Sequence, residues 1–303
     1  MMKKTHHCYS TELENQENMI FPWKNSAECP EILPFFTTRL GGVSAGSWAG
    51  FNLGDHVGDD PAHVARNRER LLAALAPHAT ELALVNQVHG DAVAIAGWNG
   101  PRPDADAVVT DRPGVVAAVL TADCAPVLFA DPKRRIVAAA HAGWRGAVGG
   151  ILENTVAVLM ENGACREQLR VLIGPCIGAK HYEVSTDFRE QIIIATQDKI
   201  GMDCQNFFSM EKKSAKMHFD LPGYVLARLI KTGIDARQII NLEQCTYGLE
   251  SFFYSHRRAV HRHQDPCGRQ LSGILVVPPH QPQNPDLLAH GRHLHRSDQR
   301  LGR

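Results

Sequence analysis

At 303 residues the chain is long enough to bury a sizeable core as one large domain or two ordinary ones, so folding requires neither disulfides nor a metal. Its 32 basic residues balance 32 acidic ones, which excludes an overall field drawing it to nucleic acid or an anionic membrane and makes small molecules the default partners. Eight cysteines with no CxxC pair do not form the framework of a small secreted domain and fit reduced thiols in a cytosol.

Residues 1 to about 30 are polar and aperiodic and read as a loose N-terminal segment. The basic start MMKKTHHCYSTELENQ lacks the apolar stretch that an export signal needs, and no later run reaches membrane-spanning length, so a cytoplasmic protein is expected. Asp60-Pro61 predicts a helix start, with Val64, Leu71, Leu72 and Leu75 on one face. Short β-branched runs bounded by turn residues then predict strands at 82–88, 91–96, 106–110, 115–122, 126–130 and 136–140. Apolar residues at helical spacing predict a helix from about Gly146 to Asn162, ended by Gly163. Further along, a strand is expected at 169–173, a helix at about Thr186–Thr196 and another helix capped by Asp220 and stopped by Gly233. Strands at 238–242, 252–256 and 271–277 follow, and the Pro-, Gln-, His- and Arg-rich residues 279–303 read as a disordered tail.

The strands cluster in 82–140 without intervening helices, which argues against a doubly wound alternation. An α+β fold is expected, with mixed sheets packed together and helices outside, in a single domain over 31–278.

Three apolar runs each end on a metal-ligand side chain: LALVNQVHG at His89, VVAAVLTADC at Cys124 and IVAAAHAGWRG at His141. Two imidazoles and a thiolate suit one zinc ion, and three protein ligands leave a fourth position open, as in catalytic rather than structural sites. The separations of 35 and 17 residues are not those of a finger or ribbon, and strand-end Cys and His residues are commonly structural. Around them, Arg39 of TTRLGG, Asn52 and His56 of FNLGDH, Arg145 of HAGWRG and Arg258 of FFYSHRR could bind an anion or a polar ring. Gln87 of NQVHG joins them as a candidate substrate contact.

TTRLGGVSAGSWAGFNLGDHVGDDP, NQVHG, DADAVVTDRPGVVAAVLTADCAPVLFAD, AAAHAGWRG, IGPCIG, QCTY, FFYSHRR and GRQ occur in this order. Together they resemble the YfiH-type family, also called the laccase-domain or polyphenol-oxidase-like family, over about residues 35 to 277. The resemblance implies a layered α/β/β/α sandwich and one zinc on His89, Cys124 and His141. It also implies phosphorolysis of adenosine, inosine, guanosine and methylthioadenosine, together with hydrolytic deamination of adenosine to inosine. Purine nucleoside and phosphate are then the partners.

On that reading Cys124, Asp123 and His141 form the catalytic group, with Asp123 as the proton shuttle of the deamination. Asp123 could instead hydrogen-bond the loops behind the site. Arg39, Arg145 and Arg258 are the available phosphate clamps. Three rivals stay open. Cys124 with His141 or His89 could act as an amide hydrolase on peptidoglycan-related or glutamine amides. A copper-dependent polyphenol oxidase fits two His and one Cys, although the HxH pairs His261/His263 and His293/His295 are too few for a multicopper centre. A binding protein with structural zinc would need a fourth ligand such as Cys176 or Cys245.

Overall fold

A computed structural model of the chain describes residues 19–20, 29, 31–200, 203–211 and 216–279. In chain order the elements are β1 (Met19–Ile20), β2 (Ile32–Thr37), α1 (Pro61–Leu75), β3 (Glu81–Leu84), β4 (Val93–Ile95), β5 (Ala107–Thr110), β6 (Val115–Thr121), β7 (Ala125–Asp131) and β8 (Ile136–Ala142). There follow α2 (Trp144–Gly149), α3 (Ile151–Glu161), β9 (Arg170–Ile173), β10 (Glu183–Val184), α4 (Thr186–Ile200), β11 (Phe208–Met210), β12 (Met217–Phe219), α5 (Leu221–Lys231), β13 (Ile239–Asn241), α6 (His256–His261) and β14 (Gln270–Val276).

Two mixed sheets form the body, a five-stranded one ordered β1-β2-β14-β6-β3 and a six-stranded one ordered β13-β9-β7-β8-β5-β4. Phe36, Val119 and Ile274 of the first pack against Leu128, Val137 and Leu172 of the second. On the outer face of the five-stranded sheet, Leu71 and Leu75 of α1 meet Val116, Leu271 and Leu275. On the outer face of the six-stranded sheet, Ile151, Leu152 and Leu159 of α3 and Val225 and Leu229 of α5 meet Val127, Phe129 and Val171. The result is the α+β layered α/β/β/α arrangement. Being covered on both sides explains why β6, β7 and β8 are buried at every position and read as unbroken apolar runs rather than alternating ones.

Helix α1 starts as its cap chemistry dictates, with the Asp60 carboxylate accepting from the Ala62 amide. Asn67 sits buried in its apolar stripe because its amide serves the preceding loops, donating to Ser44 Oγ and the Asn52 carbonyl and accepting from the Val43 amide.

Some expectations change. The helix expected over Gly146–Asn162 is two, α2 and α3, broken at Gly150, whose φ of 121° is incompatible with continuing a helix. Buried Arg228 of α5 fastens the pair by donating to Glu153 and to the Val148 carbonyl. Residues 252–256 are not a strand. Turn bonds and side chains satisfy their backbone instead: the Phe252 and Phe253 amides donate to the Leu249 carbonyl, Gln270 bonds both the N–H and the carbonyl of Tyr254, and Arg258 donates to the Phe253 carbonyl. Ser255 then caps α6, a helix the aromatic run concealed. Strand β2 and the small β10-β12-β11 sheet were also not foreseen. Met19–Ile20, within the segment expected to be loose, pair with Phe36 and Thr37. The remainder of the first 28 residues, with Pro30, and the tail from 280 lie outside the described residues. No helix among the described residues is long and apolar enough to cross a membrane.

Gly273 lets β14 lie between its neighbours under an aromatic ring. A Cβ there would stand 2.6 Å from Phe35 Cζ and 2.9 Å from Val116 Cγ1. Gly273→Val is therefore expected to lower stability by about 1–3 kcal/mol through overpacking. Thermal or urea unfolding of the variant checks this, and an unchanged midpoint would show that the core accommodates the added bulk.

Candidate metal centre

His89, Cys124 and His141 arrive from different places in the chain and converge: their ligand atoms all lie within 4.8 Å of one another. Among the described residues no fourth His, Cys, Asp or Glu joins them, so Cys176 and Cys245 stand outside the group. His141 is on buried β8, Cys124 is on the turn joining β6 to β7, and His89 is on the loop after β3. Burial falls from His141 through Cys124 to exposed His89, so the group opens to solvent on the His89 side.

Asp106, just before β5, organises two of the three. Its Oδ1 is 2.7 Å from His141 Nδ1 and accepts from the His89 amide at 3.0 Å. Its Oδ2 accepts from the amides of Val88 and Gly90 at 3.2 and 2.6 Å. One fully buried carboxylate thus orients the His141 ring, leaving Nε2 for a metal, and folds the NQVHG loop that carries His89. The reward is needed because His89 has φ 59°, a left-handed conformation that costs a non-glycine residue about 1–3 kcal/mol.

Asp123 is held in a similar way, with φ 97°. Its carboxylate accepts from Thr246 Oγ1, Ser255 Oγ and the Arg257 amide, and its carbonyl accepts from the Ile177 amide. The turn TADC is thereby fixed from behind, and Cys124 faces the histidines.

Gly143 supplies the remaining space, since a Cβ there would come within 2.9 Å of Cys124 Sγ and 3.2 Å of His89 Cδ2. Gly146 lets α2 pack on the His89 loop, where a Cβ would meet the Gly90 carbonyl at 2.8 Å.

The electrostatics match a ligand set. Burial disfavours a charged Cys124, but the His141 charge and the hydrogen bonds from His141 and His89 outweigh it and bring the thiol down to about 6. Burial likewise disfavours a charged His141, yet Cys124 and Asp106 raise it to about 9. Burial opposes ionisation of Asp106 too, and the bonds from His141 and the loop amides still hold its carboxyl below the usual range. Without metal, these shifts favour a thiolate beside an imidazolium and a carboxylate.

The expected substrate contacts differ in how much of their hydrogen-bonding capacity the protein itself uses. Arg145 is exposed on the first turn of α2, its guanidinium 4.5 Å from the Trp144 ring. Arg258 is 6% exposed and donates to the carbonyls of Thr246, Tyr247 and Phe253, which makes it a clamp for the FFYSHRR and QCTY loops rather than a free anion ligand. Arg39 lies 4.8 Å from the Tyr254 ring and donates to the Ala49 carbonyl. Asn52 is fully buried and ties Gly54, Asp59 and Arg269 together. Gln87 uses both ends of its amide on the backbone of Leu120.

Sequence reasoning passed over Asp106 and Tyr182, and left Arg257 out of the phosphate clamps. Tyr182 lies within electrostatic reach of Cys124, Asp123, Arg145 and Arg257, and burial pushes its phenol well up, so it stays protonated. Arg257 covers the Tyr182 ring at 5.2 Å and donates to the Glu183 carbonyl. It also lines an open groove of about 670 Å³ with Glu183, Ser185, Lys216 and His261. The DADA run around Asp106 was a visible signal, since an acidic residue before a buried strand needs a partner.

Two outcomes follow. Asp106→Asn is expected to weaken metal binding by about 10–100-fold, measured by competition with a chromophoric chelator, and unchanged affinity would remove Asp106 from the site. In metal-free protein, alkylation of Cys124 is expected to be half-maximal at about pH 6, with the thiolate present above that pH and lost below it. A midpoint near the ordinary thiol value of 9.0 would contradict the ion pair.

Residues 34–277 match the family model described as multi-copper polyphenol oxidoreductase laccase. A Deinococcus radiodurans protein named purine nucleoside phosphorylase is 41% identical over 227 residues, covering 74% of this chain and 82% of the relative. The Escherichia coli protein named purine nucleoside phosphorylase YfiH is 38% identical over 242 residues, covering 80% and 92%. The crystal structure of YlmD from Geobacillus stearothermophilus superposes with a TM-score of 0.77 at 28% identity, covering 88% of this chain and 98% of that one. A Neisseria meningitidis structure gives 0.70 at 35% identity, covering 83% and 97%. With a match across both sheets, all three candidate ligand positions and α6, the chain belongs to this laccase-type family, and YfiH is among its relatives.

Proposed function

We propose that the chain is a zinc-dependent purine nucleoside enzyme. It cleaves adenosine, inosine, guanosine or methylthioadenosine with phosphate to the free base and the (methylthio)ribose 1-phosphate, and it hydrolyses adenosine to inosine. The observation that carries this reading is the convergence of His89, Cys124 and His141 into an open three-ligand group, on a chain whose relatives are named for nucleoside phosphorolysis. The donor set fits zinc: one thiolate, two imidazoles, a carboxylate behind one imidazole and no fourth protein ligand among the described residues. Zinc held there supplies Lewis-acid chemistry, polarising an electronegative substrate atom and acidifying water.

The chain's own residues divide the remaining tasks. Arg257, over the Tyr182 ring, and exposed Arg145 are the cations assigned to a phosphate dianion, because Arg258 is committed to backbone carbonyls. Tyr182, kept protonated by burial, donates a hydrogen bond to a substrate oxygen or ring nitrogen. The groove beside Arg257 falls in the size range of small-ligand sites. Asp123 accepts three hydrogen bonds within the protein, so it acts by holding the Cys124 turn while the His141–Asp106 pair holds or releases a proton at Nδ1.

One observation favours a second reading. Cys124 Sγ close to a His141 ring nitrogen, each shifted toward its charged form by the other, is also the pair of a thiol amide hydrolase. Bound metal distinguishes the two, since a metal-held sulfur is a poor nucleophile. Copper is the other metal that two histidines and one cysteine accept, and the family description names it.

The test is product chromatography after incubating metal-loaded protein with adenosine. Adenine only in the presence of phosphate, and inosine with or without it, are expected, with both abolished by Cys124→Ala. Neither product would overturn the reading. Arg145→Ala is expected to raise the KM for phosphate by roughly 10–100-fold, the loss of a charged hydrogen bond, and an unchanged KM would remove Arg145 from the phosphate site.

A further inference from the structure

Cys245 lies outside the metal group, yet its sulfur is surrounded by the groups that activate thiols. The Gly178 and Gly248 amides both donate to Sγ, at 3.2 and 3.4 Å, and His181 Nδ1 stands 3.3 Å away. His181 is fixed in place by stacking on Tyr247, with ring centroids 4.6 Å apart and planes at 19°, and Tyr247 in turn bonds His261 Nδ1. Gly178 and Gly248 are themselves part of the arrangement: a Cβ on Gly178 would touch the sulfur at 3.4 Å, and one on Gly248 would touch His181 Cε1 at the same distance. The thiol is partly exposed, and Gly248 beside it is exposed.

We propose that Cys245 is a nucleophilic modification site, the thiol of a Cys245–His181 pair, which takes soft electrophiles, including hydroperoxides. The neutral imidazole, whose proton affinity is lowered by burial and by Lys180 and His218, takes the thiol proton as the sulfur attacks. The two amides stabilise the negative charge that develops on sulfur. With hydrogen peroxide, an S–O bond forms and the O–O bond breaks. The proton held by His181 passes to the departing oxygen, giving sulfenic acid and one water, with sulfur oxidised and peroxide reduced. Cys245 precedes Thr246, whose hydroxyl holds Asp123 behind the metal-ligating turn, so an adduct here borders the fastening of that turn.

Cys165 provides an internal reference. It is also partly exposed, but its thiol donates to the Glu167 carboxylate at 2.9 Å rather than facing an imidazole. The full chain as purified is treated with substoichiometric iodoacetamide at pH 7, and labelling of each cysteine is followed by peptide mass spectrometry. Cys245 is expected to react at least tenfold faster than Cys165, and a smaller ratio would overturn the proposal. His181→Gln is expected to slow Cys245 at least fivefold while leaving Cys165 unchanged, the latter reporting that the fold persists. If His181→Gln leaves Cys245 as fast as before, the pair is not the activating device. A parallel arm with hydrogen peroxide and dimedone is expected to capture the sulfenic acid on Cys245 ahead of Cys165, and capture on Cys165 first would contradict the assignment.

Discussion

One buried carboxylate, Asp106, decides the geometry of the candidate metal centre. It reaches the His141 ring with one oxygen and gathers three successive amides, those of Val88, His89 and Gly90, with both. An ionised carboxylate with no exposed surface is costly unless its lone pairs are filled, and here the loop that fills them is the one carrying another ligand. Electrostatic need and ligand placement are therefore the same interaction. The left-handed backbone of His89 persists because these bonds over-determine it.

The layered fold supplies the rigid frame for that interaction. Asp106 just precedes β5 and His141 lies on β8, strands paired antiparallel in a sheet buried on both faces, with the His141 amide donating to the Asp106 carbonyl at 2.7 Å. Cys124 comes from the connection between the two sheets, since β6 belongs to one and β7 to the other. A second carboxylate, Asp123, fixes that connection to the QCTY loop and to the start of α6. Both flanking carboxylates thus position ligands from behind, while the His89 side faces solvent together with Arg145.

Much of this was legible in the sequence because buried strands leave a plain signature. β6 and β8 are continuous apolar runs, with Cys124 just after the first and His141 near the end of the second, so the His89, Cys124 and His141 grouping followed from pattern and family blocks together. The helices with explicit caps, at Asp60 and Asp220, began where those caps placed them. What failed were segments in which side chains replace regular backbone pairing. Phe252–Ser255 has strand composition, but Gln270 and Arg258 consume its backbone groups, and neither partner is adjacent in sequence. Roles that depend on direction were equally hidden. Arg258 and Asn52 have the chemistry of anion ligands and spend it internally, whereas Arg257, one residue away from Arg258, lines the groove. A one-residue step on a helix changes the face, and composition does not report it.

In the function proposed above, three side chains from three segments hold one ion and leave a position open. X-ray absorption at the metal edge, combined with elemental analysis of the purified chain, tests it most directly. One zinc per chain is predicted, with a shell of one sulfur and two imidazole nitrogens completed by a light oxygen or nitrogen scatterer, and with the ion lost in His141→Ala. A shell with two or more sulfurs, or full zinc content retained in His141→Ala, would contradict it.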